Sequence, residues 1–403
     1  MLTFSQPVRR PIRQTHPVRS EAAPIVTSGT HPLAPGGGVW EHSIVMLRFA
    51  FIFILLLGSA PVWAQQRKIA VVGLLHSHVW GHLGTMISGQ HATLVGIAET
   101  NPDLIAEAKK MGAADSLFFS DPVQMLDKTK PDIVWAFNEN NKHLKVVELC
   151  APRKINVIFE KPLASTYKDS LAIRQLAQKS GIRVMTNYQM AWWPGQYVAK
   201  EQVDSGIIGK PWRLRGIVGH GGPGSTGARS KYFFDWLTDP VKNGAGALMD
   251  FQCYNALWSL WYLGRPERVY AHVNHLRPEV FPKVEDNSTM VLSYKNGVGL
   301  FEGSWDLPRS FQEVEVFGLG GSVYLQNANT VEVRKGREPG KPAEVKPLPA
   351  DRANPIAYMV SCINSRKPIE GLTAIDINVD VSEIIEAAKK SVATGQGVVI
   401  PKR

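Results

Sequence analysis

Asp250 and Tyr254 stand four residues apart in "GALMDFQCYNALWSLWYLG" (246–264), a run whose composition and closing Gly264 predict a helix. Residues four apart share a helix face, so a carboxylate and a phenol are stacked where they can move a proton. The phenol needs a lowered pKa for that work, which a neighbouring lysine ammonium would supply by favouring the phenolate. The same spacing also suits an aromatic packed inward beside a helix-start carboxylate. A second candidate follows the apolar run "NVIFE" (156–160), in Glu160-Lys161-Pro162. The proline stops the strand and biases Lys161 towards an extended conformation, leaving its ammonium at a sheet edge.

A third stretch, "IAVVGLLHSHVWGH" (69–82), drives an apolar strand into Gly73. A dinucleotide turn reads G-x-G-x-x-G, with glycines that let backbone approach a pyrophosphate. Here Leu75 and His78 take the second and third glycine positions. Glu99 closes "TLVGIAE", 26 residues after Gly73, where a carboxylate accepts hydrogen bonds from a ribose diol and repels a 2′-phosphate. That favours NAD over NADP; a solvated loop carboxylate is the competing reading. "FNENNKH" (137–143) puts Asn138 and His143 at another strand tip. His76, His78 and His82 could together hold a metal, but the motif contains no fixed carboxylate partner. The expectation is no metal, with His76 and His78 lining the turn and hydrogen-bonding phosphate or backbone.

These residues need a frame. "KIAVVGL" (68–74), "TLVGIAE" (93–99), "DIVWAFN" (132–138), "NVIFE" (156–160) and "RVMTNY" (183–188) read as buried strands. Helical stretches such as "NPDLIAEAKKMG" separate them, with Pro102 suited to a first turn and Gly112 to a C-terminal cap. Such alternation implies a doubly wound parallel sheet, whose ligands bind at the carboxyl ends of the strands. Beyond about residue 190 the runs are closely spaced and β-rich, with a hairpin signal through Asn296-Gly297, which implies an open, largely antiparallel sheet. "IDINVDVSEIIEAAKKSVATG" (375–395) reads as a helix that packs back on the first domain.

Ordinary composition, 44% hydrophobic and 20% charged, excludes disorder and a multi-span membrane protein. From Met46, a basic start (Arg48), nine apolar residues (49–57) and Val62-Trp63-Ala64 read as a secretory signal, with a membrane anchor as the alternative. Residues 1–45 lack periodicity and read as an unstructured extension or an over-long gene start. The expected division is therefore 1–45, a signal at 46–64, a dinucleotide domain at 65–188, a substrate domain at 189–374 and the terminal helix at 375–403. Removing residues 1–64 takes away five arginines and two glutamates and lowers the net charge from +10 to +7. No basic block with interleaved aromatics appears, so nucleic acid is not an expected partner. Cys150, Cys253 and Cys362 show no CxxC spacing and can form at most one internal disulfide.

With "FEKPLAST" (159–166), "VDSGIIGKPWRLRG" (203–216) and "NGAGALMDFQCYNALWSLWYLG" (243–264), the chain resembles the Gfo/Idh/MocA family over about residues 67–403. The resemblance implies an α/β protein: an N-terminal Rossmann domain, then a C-terminal α/β domain with an open sheet, working by hydride transfer on sugars or polyols. It implies that Lys161 contacts both nicotinamide and substrate, and that Asp250 and Tyr254 stand in the family's D-x-x-x-H positions. Tyr replaces the usual His, Gln252 replaces a common glycine, and Leu257 replaces a frequent aspartate. On this basis Tyr254 accepts a sugar hydroxyl proton, Lys161 stabilises the developing negative oxygen, and Asp250 orients sugar and phenol.

Sugar contacts are expected at Tyr188, Trp193, His220 and Trp236, since aromatic faces and polar tips suit a pyranose. Cofactor contacts are expected at Gly73, His76, His78, Glu99, Asn138, His143, Glu160 and Lys161. The leading expectation is an exported, periplasmic or extracellular NAD(P)-dependent sugar oxidoreductase without a lasting membrane span, assembling as a homo-oligomer through its C-terminal sheet. Two alternatives are a redox-neutral enzyme that keeps its NAD while cleaving or epimerising a sugar, and a carbohydrate-binding protein without cofactor.

Overall fold

Short apolar runs, most of them buried on both faces, build the first sheet, with the half-buried Phe118–Phe119 pair at its edge. They are β1 (Lys68–Val72), β2 (Thr93–Ala98), β3 (Phe118–Phe119), β4 (Ile133–Ala136), β5 (Asn156–Glu160) and β6 (Val184–Asn187). The computed structural model describes residues 66–402; the extension at 1–45 and the signal at 46–64 lie outside the described residues. All six strands run parallel in the order 3-2-1-4-5-6. The order reverses between β1 and β4, which opens a crevice at their carboxyl ends. Around the sheet lie α1 (Val79–Ile87), α2 (Pro102–Lys110), α3 (Pro122–Thr129), α4 (His143–Cys150) and α5 (Tyr167–Ser180). Local chemistry sets their ends: the Asn101 side chain accepts from the amides of Asp103 and Leu104 at the start of α2, and α5 closes on left-handed Gly181. β3, only two residues long, was not among the expected strands, because two residues carry no periodicity.

The second sheet has nine strands: β7 (Pro211–Gly219), β8 (Arg268–Asn274), β9 (Asn287–Tyr294), β10 (Gly297–Ser304), β11 (Phe311–Gly318), β12 (Gly321–Asn327), β13 (Thr330–Lys335), β14 (Lys341–Pro342) and β15 (Val398–Val399). Their order is 14-13-12-11-7-10-9-8-15, antiparallel throughout except between β7 and β10. The β9–β10 hairpin pairs Tyr294 with Gly297, so Lys295 and Asn296 form its loop rather than Asn296-Gly297. Gly297 serves a different purpose, since a Cβ there would lie 2.4 Å from the Trp212 carbonyl of the neighbouring strand.

Five helices complete the fold: α6 (Pro194–Asp204), α7 (Ala228–Leu237), α8 (Ala247–Leu263), α9 (Pro355–Asn364) and α10 (Ile375–Thr394). α8 is buried at every position from Ala247 to Ser259, because it lies between the second sheet and α10. α10 touches α5 of the first layer as well as α8 and β8 of the second, and the strand beyond it, β15, joins the second sheet through β8. All three cysteines are free and buried. Among the described residues no helix is long and apolar enough to cross a membrane.

Candidate active site

The start of α8 is fixed by close packing that only glycine allows. A Cβ on Gly246 would lie 1.9 Å from the Glu285 carbonyl, and Gly244 sits at φ +109° against Ser165. The Glu285 carboxylate accepts from the amides of Gly246 (2.8 Å) and Leu248 (3.0 Å), capping the helix. One turn on, Asp250 meets Lys161 from the tip of β5. The ammonium donates to the Asp250 carboxylate and to its backbone carbonyl (3.3 Å), while Trp305 Nε1 donates to the other carboxylate oxygen at 2.8 Å. Both members of the pair are 5% exposed. Burial alone favours the neutral amine at Lys161, but the Asp250 charge overrides it and holds the lysine above its ordinary range. At Asp250 burial likewise favours the neutral acid, and Lys161 with Trp305 holds the carboxyl below its usual range. The pair is therefore ionic at neutral pH.

Tyr254 lies beside it, with Lys161 Nζ 5.2 Å from its ring centroid. The expected lowering of its pKa is not found. Burial raises the phenol above its ordinary range and Lys161 offsets that only in part, because desolvating a phenolate costs more than one already paired ammonium returns. Tyr254 is a neutral phenol at neutral pH.

The turn after β1 closes on itself. Gly73, at φ +79°, packs against Asn138, where a Cβ would lie 3.1 Å from the Asn138 Cβ. The Gly73 amide donates to the Ala98 carbonyl, Leu74 to the Glu99 carboxylate and His76 to the Phe137 carbonyl. The His78 amide donates to His76 Nδ1, and the amides of Val79, Trp80 and Gly81 donate to carbonyls within the turn. Leu75 and Ser77 have the amides without an acceptor among the described residues. Glu99 also accepts from Thr100 (2.8 Å) and Asn101 (2.9 Å), so its carboxylate ties the tips of β1 and β2 together at the position expected for a ribose contact.

The tip of β4 has the opposite character. Buried Oδ1 atoms of Asn138, Asn140 and Asn141 and Nε2 of His143 have no protein partner. His143 Nδ1 pairs with the Leu163 carbonyl at 3.0 Å, so Nε2 is an acceptor, and burial brings the imidazole down to about 4. Buried polar atoms are normally satisfied, and hydroxyl-rich ligand groups would satisfy these. With Glu99 and the two open turn amides, the residues present fit a dinucleotide.

Between these regions lies an imidazole–carboxylate chain. His78 Nδ1 is 2.8 Å from a Glu160 oxygen, and the other Glu160 oxygen accepts from Asn187 Nδ2 at 2.8 Å. Asn187 in turn accepts from Trp192 Nε1 at 2.7 Å. Burial would neutralise Glu160, but His78 and its neighbours hold it below the ordinary range. His76 is fully buried and kept neutral by that burial. Ligand atoms of His76, His78 and Glu160 lie within 4.8 Å of one another, a set that could hold a cation. Fold thus supplies the carboxylate that the motif lacked. Both Nδ1 atoms are already engaged, however, and His82 packs on Trp135 instead, ring centroids 4.5 Å apart.

A cavity of about 920 Å³ opens beside the Lys161–Asp250 pair and His78. His78, Lys161, Trp193, His220, Asp250 and Tyr254 all line it. His220 accepts the Gly222 amide at Nδ1 (3.0 Å) and is kept neutral by burial, so its Nε2 carries the proton. Two expected sugar contacts do not reach the cavity. Tyr188 is wholly buried, edge-on to Tyr254 at 5.1 Å, and Trp236 is 2% exposed, donating to the Leu75 carbonyl (3.4 Å) and packing on His76. Tyr188 backs the Tyr254 ring and Trp236 backs His76. Trp305 was not foreseen; it reaches Asp250 from 55 residues away, and nothing local in "GSWD" announces that contact.

Comparison with known proteins agrees with this fold. Residues 67–188 match the oxidoreductase family with an NAD-binding Rossmann fold, and residues 198–324 match the GFO/IDH/MocA C-terminal domain. Myo-inositol 2-dehydrogenase of Thermotoga maritima is 25% identical over 277 residues, 66% of this chain and 77% of that protein. Levoglucosan dehydrogenase of Pseudarthrobacter phenanthrenivorans is 28% identical over 262 residues, 56% of this chain and 63% of that protein. A structure of levoglucosan dehydrogenase with NADH and levoglucosan superposes with a TM-score of 0.69 at 20% identity, covering 84% of this chain and all of that one. The chain belongs to the GFO/IDH/MocA family of oxidoreductases, and its N-terminal domain is that family's NAD-binding Rossmann domain.

Proposed function

We propose that this enzyme is an exported NAD(P)-dependent dehydrogenase of a sugar or sugar derivative, removing hydride from a carbon that bears a hydroxyl. The observation that carries the reading is the buried Lys161–Asp250 ion pair beside Tyr254, at the junction of the Rossmann crevice and the cavity. Named sugar and inositol dehydrogenases among the relatives support the substrate class. The nicotinamide cofactor, when bound, supplies the hydride acceptor. The Lys161 ammonium stabilises negative charge on the reacting oxygen, and its pairing with Asp250 keeps it charged while buried. Asp250, pinned by Trp305 and the α8 cap, fixes the angle of that ammonium. Tyr254 takes the hydroxyl proton in oxidation and returns it in reduction; as a neutral phenol it is poised for the second direction and must first lose its proton for the first. Glu99, an acidic side chain at the end of β2 where a ribose diol is expected, supports NAD over NADP.

Export is inferred from the leader beginning at Met46. N-terminal sequencing of the protein recovered outside the cytoplasm should give a start near Gln65. Function is tested by denaturing the purified protein, assaying the supernatant for released nicotinamide dinucleotide, and titrating NAD and NADP with a panel of sugars while following reduced-cofactor absorbance. Absence of both released and titratable cofactor would sink the reading.

The His78–Glu160 pair favours a second reading. It presents an oriented imidazole to the same cavity, one proton acceptor more than a dehydrogenation needs. Such a group suits a redox-neutral sequence in which the C–H beside a transient carbonyl is deprotonated and the hydride is later returned. Solvent deuterium appearing in recovered sugar without net cofactor reduction identifies this course.

A further inference from the structure

The cavity extends well past the reacting groups. From Lys161 and Tyr254 it continues to the strand ends of the second sheet, where Gln189, Trp193, Gln312 and Asn327 line it. Gln189 lies in the turn after β6, Trp193 immediately precedes α6, Gln312 is the second residue of β11, and Asn327 ends β12. One contact brings these separate elements together. The Gly195 amide donates to the Ala328 carbonyl at 2.8 Å, and a Cβ on Gly195 would lie only 2.8 Å from that same oxygen. Glycine at 195 thus lets the start of α6 seat directly on the residue after β12, and Trp193 and Asn327 line the same cavity.

Arg309, Glu313 and Tyr324 at this end bond to one another, but three carboxamides keep groups free to meet a ligand. The side chains of Gln189 and Gln312 make no hydrogen bond to the protein among the described residues, and the Asn327 side chain uses only its Oδ1, accepting the Asn329 amide at 3.0 Å. Carboxamides carry both donors and acceptors, which matches the vicinal hydroxyls of a sugar, and an indole face covers the apolar face of a pyranose. The cavity as a whole, about 920 Å³, falls at the upper end of the range for drug-sized ligands, roughly 300–1,000 Å³.

We propose that this end of the cavity is a second sugar subsite, and that the enzyme acts on a sugar joined through a glycosidic bond to a second ring rather than on a free monosaccharide. The inference rests on the sugar-dehydrogenase reading of the site. It is tested with the purified, NAD-loaded enzyme against glucose, galactose, their methyl glycosides, and cellobiose, maltose and lactose. Binding is followed by calorimetry and tryptophan fluorescence, turnover by reduced-cofactor absorbance. At least one disaccharide should bind about tenfold more tightly than its component hexose, through hydrogen bonds that the single ring cannot make. Gln312→Ala and Trp193→Ala should each bring that ratio close to one, while Trp193→Phe retains part of it. Gln312 is only partly buried, so its variant preserves the test if Trp193→Ala does not fold. Free hexoses binding as well as every disaccharide, or a ratio unchanged in both variants, would overturn the subsite and leave the dehydrogenase reading standing. Failure of every sugar to bind would overturn both.

Discussion

Between Gly73 and Gly81, seven of nine backbone amides already have acceptors inside the protein. At the tip of β4, three asparagine oxygens and an imidazole nitrogen are buried with none. These regions flank one crevice, and the contrast separates its spent from its unspent hydrogen-bonding capacity. A glycine-rich turn binds diphosphate with free amides at a helix N-terminus. Here only Leu75 and Ser77 keep that capacity, and the side chains of His76 and His78 occupy the rest of the turn. The unspent hydrogen-bonding capacity lies instead on the β4 side of that crevice.

The largest effect belongs to Tyr254→Phe. Turnover should fall roughly 10²–10⁴-fold, as loss of a general acid–base group does, with NAD affinity by calorimetry nearly unchanged. Loss of NAD binding in equal measure would make Tyr254 a cofactor residue and blur the division between the two regions. The pH profile comes next. Because burial holds the phenol above its ordinary range, the deprotonated form needed for oxidation is scarce at neutral pH and grows as pH rises. Oxidation kcat/KM should therefore climb about tenfold per unit through the alkaline range, whereas carbonyl reduction, which uses the phenol, should not. The Phe variant should lose the slope.

Some of this was legible in the chain and some was not. Gly73, the Glu160-Lys161-Pro162 tip and the four-residue step from Asp250 to Tyr254 are local features, and strand ends in a doubly wound sheet must meet the same crevice. The direction in which an aromatic points is not local: Tyr188 and Trp236 resemble sugar contacts by type, yet packing turns both inward. The His78–Glu160 pair joins residues 82 positions apart, and the Tyr254 pKa depends on how deeply α8 is buried, which its sequence alone does not state. The parallel β7–β10 pairing escapes a reading of hairpins for the same reason.

The remaining predictions set the two regions directly against each other. Asn138→Ala keeps the Cβ that packs on Gly73 and removes only the unpartnered amide, so the turn stays as it is. Loss of a hydrogen bond to bound NAD should weaken affinity about tenfold; an unchanged Kd would mean that the oxygen is satisfied by something other than cofactor. Leu75→Gly should do least. It restores the second glycine of the dinucleotide motif and removes a side chain packed between two cores. It frees no amide, however, because the neighbouring donors are bound to Glu99, the Phe137 carbonyl and His76, not blocked by Leu75. NAD affinity by calorimetry should thus shift by less than about threefold. A gain of tenfold or more would show that steric obstruction by Leu75, not the internal pairing of the turn, is what distinguishes this crevice.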